Sequence, residues 1–244
     1  MQNTTEDLLR IKKVSTGISL VFYGLELFAL SIITVSLAPF LLQSRVIDIL
    51  LLFRIVQIAA YMLIASSLMG FIGKYFCMSA PKEVPGRFSI KAAVLLEIVV
   101  FAISVLQLFT NMPVLVSEST SLLSVISFFF FLVFLENLAI YLVDDMLIQK
   151  SRKLMNIAYS LVFMLVITTG LSVFAFQILS AFKSSSLILY YSSIITLVGA
   201  ITLILGILGL MRYSRLLWNF KRKLRAVVSQ PITENLLNQS VDSE

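Results

Sequence analysis

Histidine is missing from this chain, and only one cysteine, Cys77, is present among 244 residues. The first absence removes the commonest catalytic acid–base group and metal ligand. The second excludes an internal disulfide and every CxxC or Cys/His cluster. Charge is scarce too, at 13% of residues. There is no Gly-x-Ser-x-Gly elbow and no glycine-rich phosphate loop, so the sequence leans away from an enzyme and offers no catalytic residue, cofactor or metal site.

What remains is apolar. Hydrophobic residues make up 59% of the chain and mean hydropathy is +0.99, far outside the range of soluble domains. A membrane-crossing helix needs about 20 mostly apolar residues. Runs of that kind occupy about 14–41, 47–73, 90–112, 121–143, 154–182 and 187–211. The reading is an all-α polytopic bundle of six transmembrane helices over residues 1–212, a basic amphipathic surface helix over 213–228, and a disordered polar tail over 229–244. The first run is too long for a signal-peptide core and reads as a retained helix.

Cations set the orientation, because Lys- and Arg-rich loops stay on the cytoplasmic side. One face carries sixteen, from Arg10, Lys12 and Lys13 through the 74–91 and 150–153 loops to the run Arg212–Arg225. The other carries only Arg45 and Lys183, and Arg54 lies within a span. Both termini are therefore expected inside, and a bacterial inner membrane is the expected location. The net charge of +6 is explained by loops held against anionic inner-leaflet lipid, with no nucleic-acid partner implied.

Two clusters are candidate sites. Charge in the hydrocarbon is costly, so Glu26, Arg54, Glu97 and Glu136 are expected to face the bundle interior. Glu26 would pair with Arg54 beside Gln57 and Tyr61. Glu97 and Glu136 would either share a proton or reach outward, to cationic loop residues such as Lys91 or Lys153 or to lipid headgroups. The second cluster follows Tyr213, where Leu216, Leu217, Phe220 and Leu224 share one helical face, with Arg215, Lys221, Arg222, Lys223 and Arg225 around them. This pattern predicts a helix on the inner leaflet with those cations on lipid headgroups. Trp218 falls on the polar side and does not fit that pattern. In helix 6, Ser192, Thr196, Gly199, Thr202, Gly206 and Gly209 form a small-residue stripe expected to pack closely. Cys77, beside Lys74, has a setting compatible with lipidation or with a plain reduced thiol.

The segments Gly17–Leu30, Phe71–Ala92 with Cys77 and Pro81, and Phe131–Lys153 with Leu138, Ala139, Tyr141, Leu142 and Asp144 resemble multi-pass proteins of planctomycete bacteria. Those proteins carry no assigned activity. The resemblance implies a six-helix bundle and transfers no site residue. Many such proteins have a basic residue near Glu136 or Asn137, where this chain has an acid and an amide. Two functions stay open: a membrane scaffold or accessory subunit, acting through helix packing and its basic tail with other membrane proteins or with itself, and a small transporter or channel using the buried charges. A faint likeness of Leu25–Leu30 to Leu135–Ile140 would suit an inverted repeat in the second case.

Overall fold

The computed structural model describes the backbone of residues 5–43, 48–109, 114–182 and 185–241, and side chains outside 5, 38–43, 104–105, 107–109, 114–122, 165, 168–182, 185–196, 199–200, 203 and 230–241. Among these residues it is all-helical and without strands: α1 Thr5–Gln43, α2 Ile49–Cys77, α3 Arg87–Phe109, α4 Val114–Tyr141, α5 Asp145–Phe182 and α6 Ser185–Val241. Three stretches are long and apolar enough to cross a membrane: Glu6–Leu37, Ile49–Cys77 and Leu123–Tyr141. The expected spans at 90–112, 154–182 and 187–211 run through side chains outside the described ones. Arg45 and Lys183 also lie outside them.

The last helix departs from expectation. The sequence pattern predicts a span, a separate surface helix and a polar tail after residue 187, yet α6 continues unbroken to Val241. No glycine or proline interrupts the chain between Met211 and Gln230, so nothing local stops helical propagation there.

Two compact units are formed, one of Met1–Ile148 with Leu216–Glu244, the other of Gln149–Arg215. In the first, α1 and α2 form an antiparallel pair set by small residues. Gly17 faces Gly73, Gly24 faces Ser66, and Ser31 faces Ala59, each pair of numbers adding to 90. Both rows recur every seven residues, the spacing that keeps one face on its neighbour in a left-handed pair. The backbones come so close that a Cβ placed on Gly73 would lie 2.6 Å from the Gly17 carbonyl oxygen. Ser31 donates to the Ala59 carbonyl and Ser66 to the Gly24 carbonyl, both at 2.8 Å. Cys77 closes the seam at the end nearest the α2–α3 loop, fully buried with Sγ 4.0 Å from the Val14 carbonyl oxygen. Its burial removes it as a lipidation site.

Helices α3 and α4 pair through Ser127, which donates to the Ala93 carbonyl at 3.0 Å. The loop between α2 and α3 buries Ala80 and Val84 and enters α3 through Gly86 at φ +70°. That glycine is needed twice over, since the conformation favours it and a Cβ would meet Asn137 Nδ2 at 2.2 Å.

The small stripe of helix 6 does not behave as the seam of α1 and α2 does. In the second unit Gly206 has nothing within 4 Å of a notional Cβ, and Gly209 would make only ordinary contacts with Leu161 and Ile157 at 3.4 and 3.5 Å. Thr202 bonds back to its own helix at the Val198 carbonyl. Ser192, Thr196 and Gly199 fall outside the described side chains.

Candidate functional site

The α1/α2 register decides the first expected pair. With positions adding to 90, Glu26 is level with Ile64 and Arg54 with Ser36, ten residues from Glu26. At 1.5 Å per residue that is about 15 Å along the axis, too far for an ion pair. Both side chains are exposed, and among the described residues no ion pair joins them. The reason is steric: a seam of glycine, serine and alanine leaves no room for a glutamate and an arginine between the helices. Glu26 and Arg54 therefore lie on the outer faces, against the expectation that they would point inward.

Glu97 and Glu136 do not meet either. Asn137 lies beside Gly86 at the start of α3. Glu97 is eleven residues further along, about 16 Å away. The shared-proton reading fails on this distance. Glu97 instead forms an ion pair with Lys74, in the last turn of α2. Lys74 is buried at 7% exposure and sits 5.4 Å from the centre of the Phe131 ring on α4. One side chain thus ties α2 to α3 by charge and to α4 by cation–π attraction, while its ammonium also complements the negative end of its own helix. Lys74 stands one residue beyond the expected 47–73 run, where it reads as a loop cation, whereas α2 continues through it to Cys77.

Gln57 and Arg54 remain together on the exposed face of α2, and Gln57 donates to the Tyr61 hydroxyl at 3.2 Å. The five expected intramembrane polar residues are consequently split among four places: Glu26 on α1, Arg54 with Gln57 on α2, Glu97 with Lys74, and Glu136 on α4.

The basic segment of α6 is built differently from the expected lipid-lying helix. Leu216, Leu217, Phe220 and Leu224 are at most 1% exposed, so the apolar face is spent within the protein. Burying such side chains contributes about 2 kcal/mol each, against about 1 kcal/mol for a cation near an anionic surface. Lys221 follows that face inward: 3% exposed, it donates to the Tyr23 hydroxyl at 2.8 Å and lies within 5.3 Å of the Phe22, Tyr23 and Trp218 ring centres. Lys223 pairs with Asp144 at 3.1 Å. Neither is free for headgroups as expected. Arg222 and Arg225 are, standing exposed with Trp218 and Ser229 at three- and four-residue steps on one face. Arg215, at the end of the second unit, is exposed as well. Trp218, discordant in the sequence pattern, belongs to this outward basic stripe.

Asp144 is where α4, α5 and α6 are joined. Its N–H bonds the Ala139 carbonyl while Val143 bonds that of Ile140, which closes α4 in a Schellman turn. Its carboxylate accepts from the Leu147 N–H at 3.0 Å, capping α5, and takes Lys223 on its other oxygen. The Leu147 N–H first and Lys223 second hold this carboxyl below its ordinary value. A depressed acid contributes stability above the unfolded value of about 3.9 and loses it as pH falls through the lower folded value. Asp144→Ala is expected to cost about 1 kcal/mol at neutral pH, and the difference from the parent should vanish in acid melts. Val143, in the turn, occupies φ +50° with 80% of its surface exposed. Val143→Gly should stabilise by about 0.5–1 kcal/mol, since the left-handed conformation costs a branched residue more than glycine loses on ordering. A lower melting point for that variant would show that the side chain has a contact of value.

No protein-family model, curated protein or solved structure matches the chain, so its sequence motifs and this geometry carry the functional reading.

Proposed function

We propose that this chain is an integral membrane scaffold or accessory subunit. Its six spanning helices would have both ends on the cytoplasmic side, and the outward stripe of α6 would engage anionic inner-leaflet headgroups. The bacterial inner membrane is its proposed home, in keeping with the resemblance to planctomycete multi-pass proteins. The observation that carries the reading is how the polar groups are used. Lys74–Glu97 and Lys221 bind helices to one another, and the remaining expected intramembrane charges are scattered, where a transporter would gather them around a path.

Trp218 is the chain's single tryptophan and reports on the stripe directly. In vesicles containing anionic lipid, its fluorescence should be quenched by a nitroxide at headgroup depth more than by one deep in the acyl chains. The double variant Arg222→Glu/Arg225→Glu should lose that quenching. Strong quenching by aqueous iodide, with none from lipid, would remove the headgroup contact from this proposal.

A further inference from the structure

We infer that Ser229 is a phosphorylation site whose phosphate releases the outward stripe of α6 from anionic lipid. This rests on the headgroup reading of that stripe and adds its regulation. Trp218, Arg222, Arg225 and Ser229 follow one another at steps of four, three and four, so the hydroxyl lies one turn beyond Arg225 on the same exposed face. Of the cations expected on lipid, Lys221 is held by Tyr23, Lys223 by Asp144, and Arg215 belongs to the second unit. Arg222 and Arg225 are left beside Ser229. A serine phosphate carries a charge of about −1.5 to −2 at neutral pH, enough to cancel both.

Position in the helix makes the hydroxyl reachable. The packed part of α6 ends at Leu224, after which Ala226 and Ser229 are exposed and Val227 and Val228 half-buried. Pro231 follows within the same helix. A proline cannot donate to the carbonyl four residues earlier, here that of Val227; its ring crowds that oxygen and disfavours helical backbone at the residue before it. The turn carrying Ser229 is therefore easier to open than the packed turns that precede it. Opening matters, because the Ser229 hydroxyl bonds back to the Arg225 and Ala226 carbonyls at 2.9 and 3.0 Å, onto its own helix. Lys221, Arg222, Lys223 and Arg225 all fall within the eight residues ahead of it, and charge patterns of this kind select kinase substrates. The serines of the packed interior offer no comparable acceptor, since Ser31, Ser66, Ser127 and Ser151 are buried.

In the reaction, Ser229 Oγ attacks the γ-phosphorus of a nucleoside triphosphate held by a separate protein kinase. The Oγ–P bond forms as the bond from that phosphorus to the β,γ-bridging oxygen breaks, the hydroxyl proton passes to the kinase's carboxylate base, and nucleoside diphosphate leaves. The new phosphate lies one turn from Arg225, within reach of a charge-assisted contact that takes this cation from the lipid. What remains of its charge repels the anionic leaflet.

The test installs phosphoserine at Ser229 of the full chain and places parent and modified protein in vesicles of mixed anionic and zwitterionic lipid. One lipid or the other carries a headgroup nitroxide, so quenching of Trp218, 53% exposed, reports which of them gathers at the stripe. The parent should favour the anionic lipid. The phosphoserine form should lose that preference, a fall of about thirtyfold, since each of two cations near an anionic surface contributes about fivefold. Ser229→Ala should keep the preference, and Ser229→Glu, with one charge, should lose about fivefold of it. In the cells that make the protein, phosphatase-sensitive phosphate should be found on Ser229 in the tryptic peptide beginning at Ala226. A phosphoserine form with the parent's preference, or a growth cycle throughout which Ser229 carries no phosphate, would overturn the inference and leave the headgroup reading in place. If the parent itself does not favour anionic lipid, the headgroup reading fails and this inference with it.

Discussion

Replacing Gly73 by alanine should lower the thermal stability of the detergent-solubilised protein by about 2–3 kcal/mol, the range for overpacking a closed interface. The added Cβ would sit 2.6 Å from both the Gly17 carbonyl oxygen and Val21 Cγ2, and 2.9 Å from the Val21 nitrogen. Two of those atoms are backbone, so α1 and α2 must move apart as rigid bodies. Separation weakens the packing along the whole seam, and with it the Ser31 and Ser66 bonds. Interhelical bonds of this kind contribute only about 0.6 kcal/mol each, so close packing is the larger loss. Gly70, three residues away on the same helix, has nothing within 4 Å of its notional Cβ. Gly70→Ala should therefore be neutral or stabilise by up to about 1 kcal/mol, through helix propensity alone. Equal melting of the two variants would refute the register that places Gly73 on Gly17.

Splitting the Lys74–Glu97 pair should be equally damaging. Glu97→Gln leaves the Lys74 ammonium buried beside Phe131 with no carboxylate. The expected loss is about 3 kcal/mol, the lower end for a buried pair, because the Glu97 side chain keeps 25% exposure. Lys74→Met alone strands the carboxylate and should cost a similar amount. The double variant Lys74→Met/Glu97→Leu should recover most of the loss, since apolar side chains of similar size replace a buried pair at little cost. Recovery would establish the pair as an architectural tie. If Glu97→Gln instead melts higher than the parent, the carboxylate is held in strain for another purpose, and proton-coupled uptake into vesicles becomes the measurement to make.

Both predictions concern features that the sequence displayed without ranking. Gly17, Gly24 and Ser31, and Ala59, Ser66 and Gly73, repeat every seven residues in plain view, yet the richer glycine stripe of helix 6 drew the packing expectation. Small residues state that a close approach is permitted; only a neighbour at the right register makes it happen. Lys74 likewise reads as part of its loop, because its partner Glu97 is distant in sequence and nothing local announces the pair.

By itself the sequence determined the class of this protein. Apolar runs and sparse charge require helices, because a helix satisfies its own backbone in a lipid environment, and the six helices overlap the six expected runs, although their ends differ. Periodicity likewise identified the apolar face of the Tyr213–Val227 segment correctly. The tertiary structure decided what each face meets. It turned that apolar face, with Lys221, into the protein rather than onto lipid, set Glu26 and Arg54 on outer surfaces about 15 Å apart along the axis, and joined Lys74 to Glu97. The physical reason is that a helix's composition fixes which of its sides avoids water, whereas partner and register depend on how well two surfaces fit, and fit is a property of the pair.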